Sequence, residues 1–238
     1  LSCFDTESLK ILKKINVKRI KIPSGEITNY ILLKDIAKLK KKVIMSTGMS
    51  TLKEIKDALK ILTKYGAKLK DITLLQCNSE YPTPYKDVNL LAIKYLEKKF
   101  KTQVGYSDHT RGIEASIGAV ALGASVIEKH LTLSKLQSGP DHKASIEPIE
   151  YKKLVNSIRN VEICLGKNKK IVTKSENKNK NIVRKSIVAS KNILKGEKFS
   201  LKNIEPKRAG KGISPMLINR IIGKKANKDY SFDEIIKL

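Results

Sequence analysis

The sequence predicts an α/β fold: the later strands of a parallel (β/α)8 barrel, followed by a small α+β domain. Three observations lead there. Short β-branched runs alternate with helical patterns along residues 1–166, the signature of parallel βα units. Composition then shifts, after Gly166, into a polar Lys- and Asn-rich run over 167–184 that reads as a tether. Beyond it, residues 185–238 show short strand-like pieces separated by glycine turns.

Taken in order, residues 1–4 read as the end of a strand. The chain starts with Leu1 instead of Met, so we expect the natural protein to begin upstream. Strands follow at 19–23, 42–46, 72–76, 103–106 and 125–128; five strands and a remnant suit the second part of an eight-stranded barrel. Thr51 and Glu54 form a capping box for a helix whose apolar face is Ile55, Leu59 and Leu62, and Gly66 stops it. Residues 113–122 are rich in Ala and Gly, so this helix can approach its sheet closely. Leu154, Ile158, Val161 and Leu165 mark another helix, ending at Gly166. In the last part, strand-like pieces lie at 186–189 and Ile193, turns at Lys195-Gly196 and 210–212, and a brief helical stretch at 215–222.

Composition narrows the function classes. No apolar run approaches the roughly 20 residues that span a bilayer, so no membrane association is expected. Cys3, Cys77 and Cys164 are odd in number and widely spaced, which argues for a reducing, cytoplasmic setting over a disulfide framework. The formal charge of +26 invites a nucleic-acid reading. Only six of the 49 basic residues are Arg, however, and the lysines are spread along the whole chain. Nucleic-acid sites favour Arg for bidentate contacts and aromatics for stacking, yet aromatics are 5% and Trp is absent. The charge reads as solvated surface with no specific nucleic-acid partner, and it helps attract anionic substrates.

Each predicted strand ends in a polar cluster: Ser24-Gly25-Glu26, Ser46-Thr47-Gly48, Asn78 with Ser79 and Tyr81, Ser107 to Thr110, and Glu128 to His130. The carboxyl ends of barrel strands form the active-site face, so these groups are expected to converge on one pocket. His109 and His130 occupy equivalent places on neighbouring strands. They can share one divalent ion, and with oxygen ligands otherwise an octahedral ion such as Mn²⁺ is favoured over structural zinc. The alternative is that each ring only hydrogen-bonds within its loop. Ser24, Ser46 and Ser107, beside glycines or in tight loops, can hold a phosphate that Lys21 neutralises, although a single Ser-Gly is more often just a turn. Glu26 and Asp141 are carboxylates that can orient hydroxyls or a metal-bound water; as loop acids they can equally be surface decoration.

On these residues the chain resembles the sialic acid synthase family. The segments that carry the likeness are 21–29 (KIPSGEITN), 45–49 (MSTGM), 81–85 (YPTPY), 105–110 (GYSDHT), 128–132 (EKHLT) and 139–145 (GPDHKAS), in family order. Residues 206–212 (PKRAGKG) resemble that family's antifreeze-like (SAF) domain. The resemblance implies a barrel portion over 1–166, a linker over 167–184 and an antifreeze-like domain over 185–238. It implies that His109 and His130 bind Mn²⁺ or Mg²⁺, and that Lys21, Ser24, Ser46 and Ser107 surround phosphoenolpyruvate. Glu26, Ser79, Tyr81 and Asp141 then lie near the acceptor sugar and the reaction centre. Arg208 enters the partner subunit's active site in a domain-swapped homodimer. The implied reaction condenses phosphoenolpyruvate with N-acetylmannosamine and water, giving N-acetylneuraminate and phosphate.

The alternative acceptor is a diacetamido-trideoxy hexose, as in legionaminic or pseudaminic acid synthases; a basic nucleic-acid module is a remote second reading. Two departures stand out. The family barrel's first strands, with a glutamate and a lysine used for catalysis and phosphate binding, precede the segment that residues 1–238 match. Ser2-Cys3 also stands where the family often has Thr-Pro. An open barrel exposes strand edges, so residues 1–238 alone are expected not to turn over.

Overall fold

The computed structural model describes residues 1–238, excepting the side chain of Asn181. Two compact units divide it, Leu1–Gly166 and Lys167–Leu238. In the first, helices α1 (Thr6–Lys14), α2 (Tyr30–Lys38), α3 (Leu52–Lys64), α4 (Ala92–Phe100), α5 (Glu114–Ala121) and α6 (Pro148–Leu165) are interleaved with five strands. These are β1 (Arg19–Ile22), β2 (Lys42–Ser46), β3 (Ile72–Cys77), β4 (Gln103–Asp108) and β5 (Ile127–Lys129). All four pairings are parallel and the spatial order is β1-β2-β3-β4-β5. That order settles the architecture. A doubly wound sheet reverses direction at a switch point, whereas a barrel adds each strand beside the last. Ser2 makes a parallel bridge to Lys21, so residues 1–4 do reach the sheet, on the β1 side.

The core explains the strand assignments. Ile20 and Ile22, Val43 and Met45, Leu74 and Val104 are all buried, and helix residues Leu33, Ile36, Leu59 and Leu62 cover them in one cluster. Helix α3 starts as its sequence requires: the Thr51 side chain accepts from the Glu54 backbone N–H, and the Glu54 carboxylate accepts from the Thr51 N–H. Gly105 is needed where β4 meets the chain entering β5, since a Cβ there would lie 2.4 Å from the Val126 carbonyl oxygen.

The second unit holds a helix α7 (Lys174–Val183), strand β6 (Ser186–Ala189) and strand β7 (Ile204–Lys207), the two strands antiparallel. Ile187, Phe199, Ile204, Tyr230 and Ile236 form its core. One expectation is corrected here, and the brief helical stretch is found. The polar tether of 167–184 carries regular structure, because Thr173 and Glu176 make a capping box that starts α7 without any apolar stripe. The stretch near 215–222 is a 3₁₀ segment, Pro215–Arg220, with the Ser214 side chain accepting from the Met216 N–H at its start. No helix is long and apolar enough to cross a membrane among the described residues.

Candidate active site

Alternation along a strand points every second side chain to the same face, so residues at the carboxyl ends of adjacent parallel strands meet. Lys21 from β1, Ser46 from β2, Ser107 from β4 and Glu128 from β5 all line one cavity of about 560 Å³. Ser24 enters it from the 3₁₀ turn Ser24–Glu26, and Ser79 and Tyr81 from the loop after β3. His109 and His130, each one residue beyond its strand, complete the wall.

The two imidazoles stand edge to face with ring centroids 5.4 Å apart. The Tyr81 ring lies over His109 at 4.1 Å and edge-on to His130 at 5.3 Å. His109 Nδ1 is 2.6 Å from the Asn78 carbonyl oxygen, which can only accept, so Nδ1 carries the proton and Nε2 presents its lone pair. That nitrogen faces the Ser107 hydroxyl at 3.4 Å, whose own proton goes to Glu128 Oε1 at 2.8 Å. Burial lowers the pKa of His109 and the nearby His130 adds to the effect, against the Asn78 carbonyl, which raises it. The neutral, ligating form is therefore favoured. Among the described residues no group of three or more His, Cys, Asp or Glu gathers as a metal site. A divalent ion would take two imidazoles from this chain and its other ligands from water or substrate, a donor set that suits an octahedral ion such as Mn²⁺ better than structural zinc.

The lowered pKa makes a testable link to stability. The unfolded chain takes the His109 proton more readily than the folded one. The contribution is therefore present above the ordinary imidazole value of about 6.5 and is lost as pH falls through the lower folded-state value. Metal-free His109→Gln protein is expected to lose less stability than the wild type between about pH 7 and pH 5, measured by urea unfolding.

The adjoining part of the wall carries groups suited to an anion. Lys21 Nζ sits 2.9 Å from Glu128 Oε1, the same oxygen that accepts from Ser107. Ser24 Oγ accepts from the Gly48 N–H at 3.1 Å and lies 3.3 Å from Cys77 Sγ. Ser46 Oγ is buried and has no hydrogen-bond partner among the described residues. A buried hydroxyl without a partner is costly unless a ligand completes it. Gly48 keeps this corner open, since a Cβ there would lie 2.4 Å from Ser79 Oγ and 2.8 Å from Ser24 Oγ.

Eight of the eleven residues singled out in the sequence thus share the cavity wall: Lys21, Ser24, Ser46, Ser79, Tyr81, Ser107, His109 and His130. Asp141 stands at its edge, with Oδ2 3.8 Å from His130 Nδ1. Glu26 is not part of the lining; its carboxylate accepts from Asn29 Nδ2 at 2.7 Å, beside the N-cap of α2. Arg208 follows β7 in the second unit. Sequence reasoning passed over Glu128 as a site residue and did not see Gly48 as a steric gap. The place of Glu128 in the strand-end cluster Glu128 to His130 marks it for the pocket, and its register opposite Ser107 is what gives it a role.

The NeuB family model matches residues 1–170 and the SAF domain model residues 184–238. The N,N′-diacetyllegionaminic acid synthase of Campylobacter jejuni is 56% identical over 234 residues, 98% of this chain and 70% of that protein. The Legionella pneumophila protein of the same name is 44% identical over 96% of this chain and 65% of its own length. Among solved structures, an N-acetylneuraminic acid (sialic acid) synthetase from Leptospira borgpetersenii aligns with a TM-score of 0.69 and 39% identity, covering 75% of this chain and 61% of that one.

Proposed function

Because the chain belongs to the NeuB family of sialic, legionaminic and pseudaminic acid synthases, we propose that it takes part in the condensation of phosphoenolpyruvate with a diacetamido-trideoxy hexose, as a legionaminic acid synthase. The observation that supports the reaction class is the one cavity whose wall holds two imidazoles, a lysine and a buried serine hydroxyl without a partner among the described residues. The choice of sugar rests on the relatives. The 56% identity to a legionaminic acid synthase spans nearly the whole chain, whereas the likeness to the neuraminic acid synthetase is 39% over three quarters of it. This moves the reading from the N-acetylmannosamine acceptor, first in the sequence reading, to its alternative.

Lys21 neutralises the phosphate or carboxylate of phosphoenolpyruvate, leaving Glu128 for the incoming anion as its partner moves. Ser24 and Ser46 donate to the anion's oxygens, Ser107 turns its proton to them from Glu128, and Ser46 gains there the bond it lacks. His109 and His130 hold the divalent ion, which when bound polarises the open-chain aldehyde of the sugar. Tyr81 covers His109 and narrows the approach to the rings, and Asp141 stands beside His130 to orient a sugar hydroxyl. Holding both substrates in register lowers the barrel's chemical barrier by several kcal/mol. Arg208 supplies a cation to the partner subunit's cavity in a homodimer, and the free cysteines accord with a cytoplasmic setting.

Equal amounts of N-acetylmannosamine and the diacetamido-trideoxy hexose, offered together with phosphoenolpyruvate and Mn²⁺ to the dimer carrying the full NeuB domain of its relatives, decide the acceptor. Mass spectrometry of the nine-carbon keto acid is expected to find mainly the diacetamido product. Mainly neuraminic acid would return the reading to its first form, and product only from the pseudaminic-type isomer would move it to that branch.

A further inference from the structure

Behind the two histidines lies a buried ion pair that touches no part of the cavity. Lys129 Nζ is 3.0 Å from Asp108 Oδ2, with side chains 2% and 0% exposed. Asp108 and Lys129 are cross-strand partners, the last paired residues of β4 and β5. His109 and His130 come one residue later, where the ladder has ended. Alternation turns Ser107, Glu128 and both histidines to the cavity and sends Asp108 and Lys129 to the other face, against α5. There every polar group is satisfied. Asp108 Oδ1 accepts from the Thr110 N–H at 2.8 Å and the Thr110 hydroxyl at 2.7 Å, and Oδ2 accepts from Ser116 Oγ of α5 at 2.6 Å. Lys129 Nζ donates to the Thr110 carbonyl at 2.8 Å.

Stability alone does not account for a charge pair in this place. A buried ion pair is often no more stabilising than apolar side chains of similar volume, and β4 and α5 already share an apolar cluster through Val104, Tyr106, Ala115 and Ala119. What the pair adds is direction. It fixes the backbone on both sides of His109, at Asp108 and Thr110, to the residue just before His130. The histidine carbonyls themselves bond elsewhere, accepting from the N–H groups of Thr83 and Ile146, so these bonds do not tie one ring to the other.

We propose that Asp108 and Lys129 are positioning residues that clamp the ends of β4 and β5 from behind and so set the spacing of the His109 and His130 rings. The value of that spacing rests on the metal-binding reading above, but the clamp can be tested without metal. The chain has three histidines, so ring-labelled protein gives a readable NMR spectrum. Wild type and Lys129→Arg, which keeps the charge, are expected to show a ring-to-ring NOE between His109 and His130. The neutral double variant Asp108→Asn/Lys129→Met, which leaves no lone buried charge, is expected to lose it while keeping native amide dispersion. Ser116→Ala, the mildest change, is expected to fold and to shift both ring signals. An NOE unchanged in the double variant would overturn the proposal. So would loss of its fold together with unshifted rings in Ser116→Ala, since the pair would then serve stability only. Mn²⁺ added to the same samples keeps the two readings apart. About 10- to 100-fold weaker Mn²⁺ binding in the double variant is the expected result. A wild type whose rings touch but whose signals Mn²⁺ leaves unbroadened contradicts the metal assignment and leaves the clamp standing.

Discussion

In the full-length protein His109→Ala is expected to abolish specific Mn²⁺ binding and to slow phosphate release by at least about a thousandfold, because the proposed ion takes its imidazole ligands from His109 and His130 and no larger ligand group gathers among the described residues. His109 is the better prepared of the two. The Asn78 carbonyl fixes its tautomer, Tyr81 covers one face of its ring, and burial keeps it neutral. Mn²⁺ titration followed by electron paramagnetic resonance checks the binding, and a phosphate-release assay the rate. Circular dichroism is expected to stay native, because the ring sits beyond the last β4–β5 pair. An intact Mn²⁺ isotherm in the variant would remove His109 from the ligand set.

Gly48→Ala is expected to raise KM for phosphoenolpyruvate by about 10- to 100-fold with little change in stability. The backbone there is not in the left-handed region, so alanine is tolerated; the cost is steric. The new methyl meets Ser79 Oγ, Ser24 Oγ and Cys77 Sγ, at 2.4, 2.8 and 3.1 Å. Side-chain hydroxyls can rotate away, so the fold survives, but they then leave the places from which they bind the anion. Losing one or two such bonds costs about 1–3 kcal/mol, which is the range stated. Steady-state kinetics over a phosphoenolpyruvate series, beside a urea midpoint, separates the two effects. A wild-type KM would mean that the anion binds elsewhere in the cavity.

Much of this site was legible in the residue order, and the reason is the parallel sheet. Once the strands are placed, the barrel rule gathers their carboxyl ends, and Ser24, Ser46, Ser107 and the histidines follow from it, with Lys21 added as the counter-charge to a phosphate. Features that depend on register were not legible. Glu128 stands in a strand-end cluster without a role of its own until pairing sets it opposite Ser107, and Asp108 and Lys129, in clusters expected to converge on the pocket, turn out to pair behind the sheet. Glu26 shows the converse, since proximity in sequence to Ser24 promised a place in the wall that its bond to Asn29 does not give it. Helix α7 was missed for another reason. Its capping box is the same signal that marked α3, but no apolar stripe follows it, and periodicity was the stronger cue.

The proposed reaction needs one cavity to hold phosphoenolpyruvate, the sugar and a divalent ion together. Phosphate release from phosphoenolpyruvate, followed in the full-length protein with sugar and Mn²⁺ each present or withheld, tests it most directly. Release that needs both, and that His109→Ala abolishes, is the predicted result. Release that proceeds without sugar, or that continues unchanged after the metal has been chelated, would contradict the account.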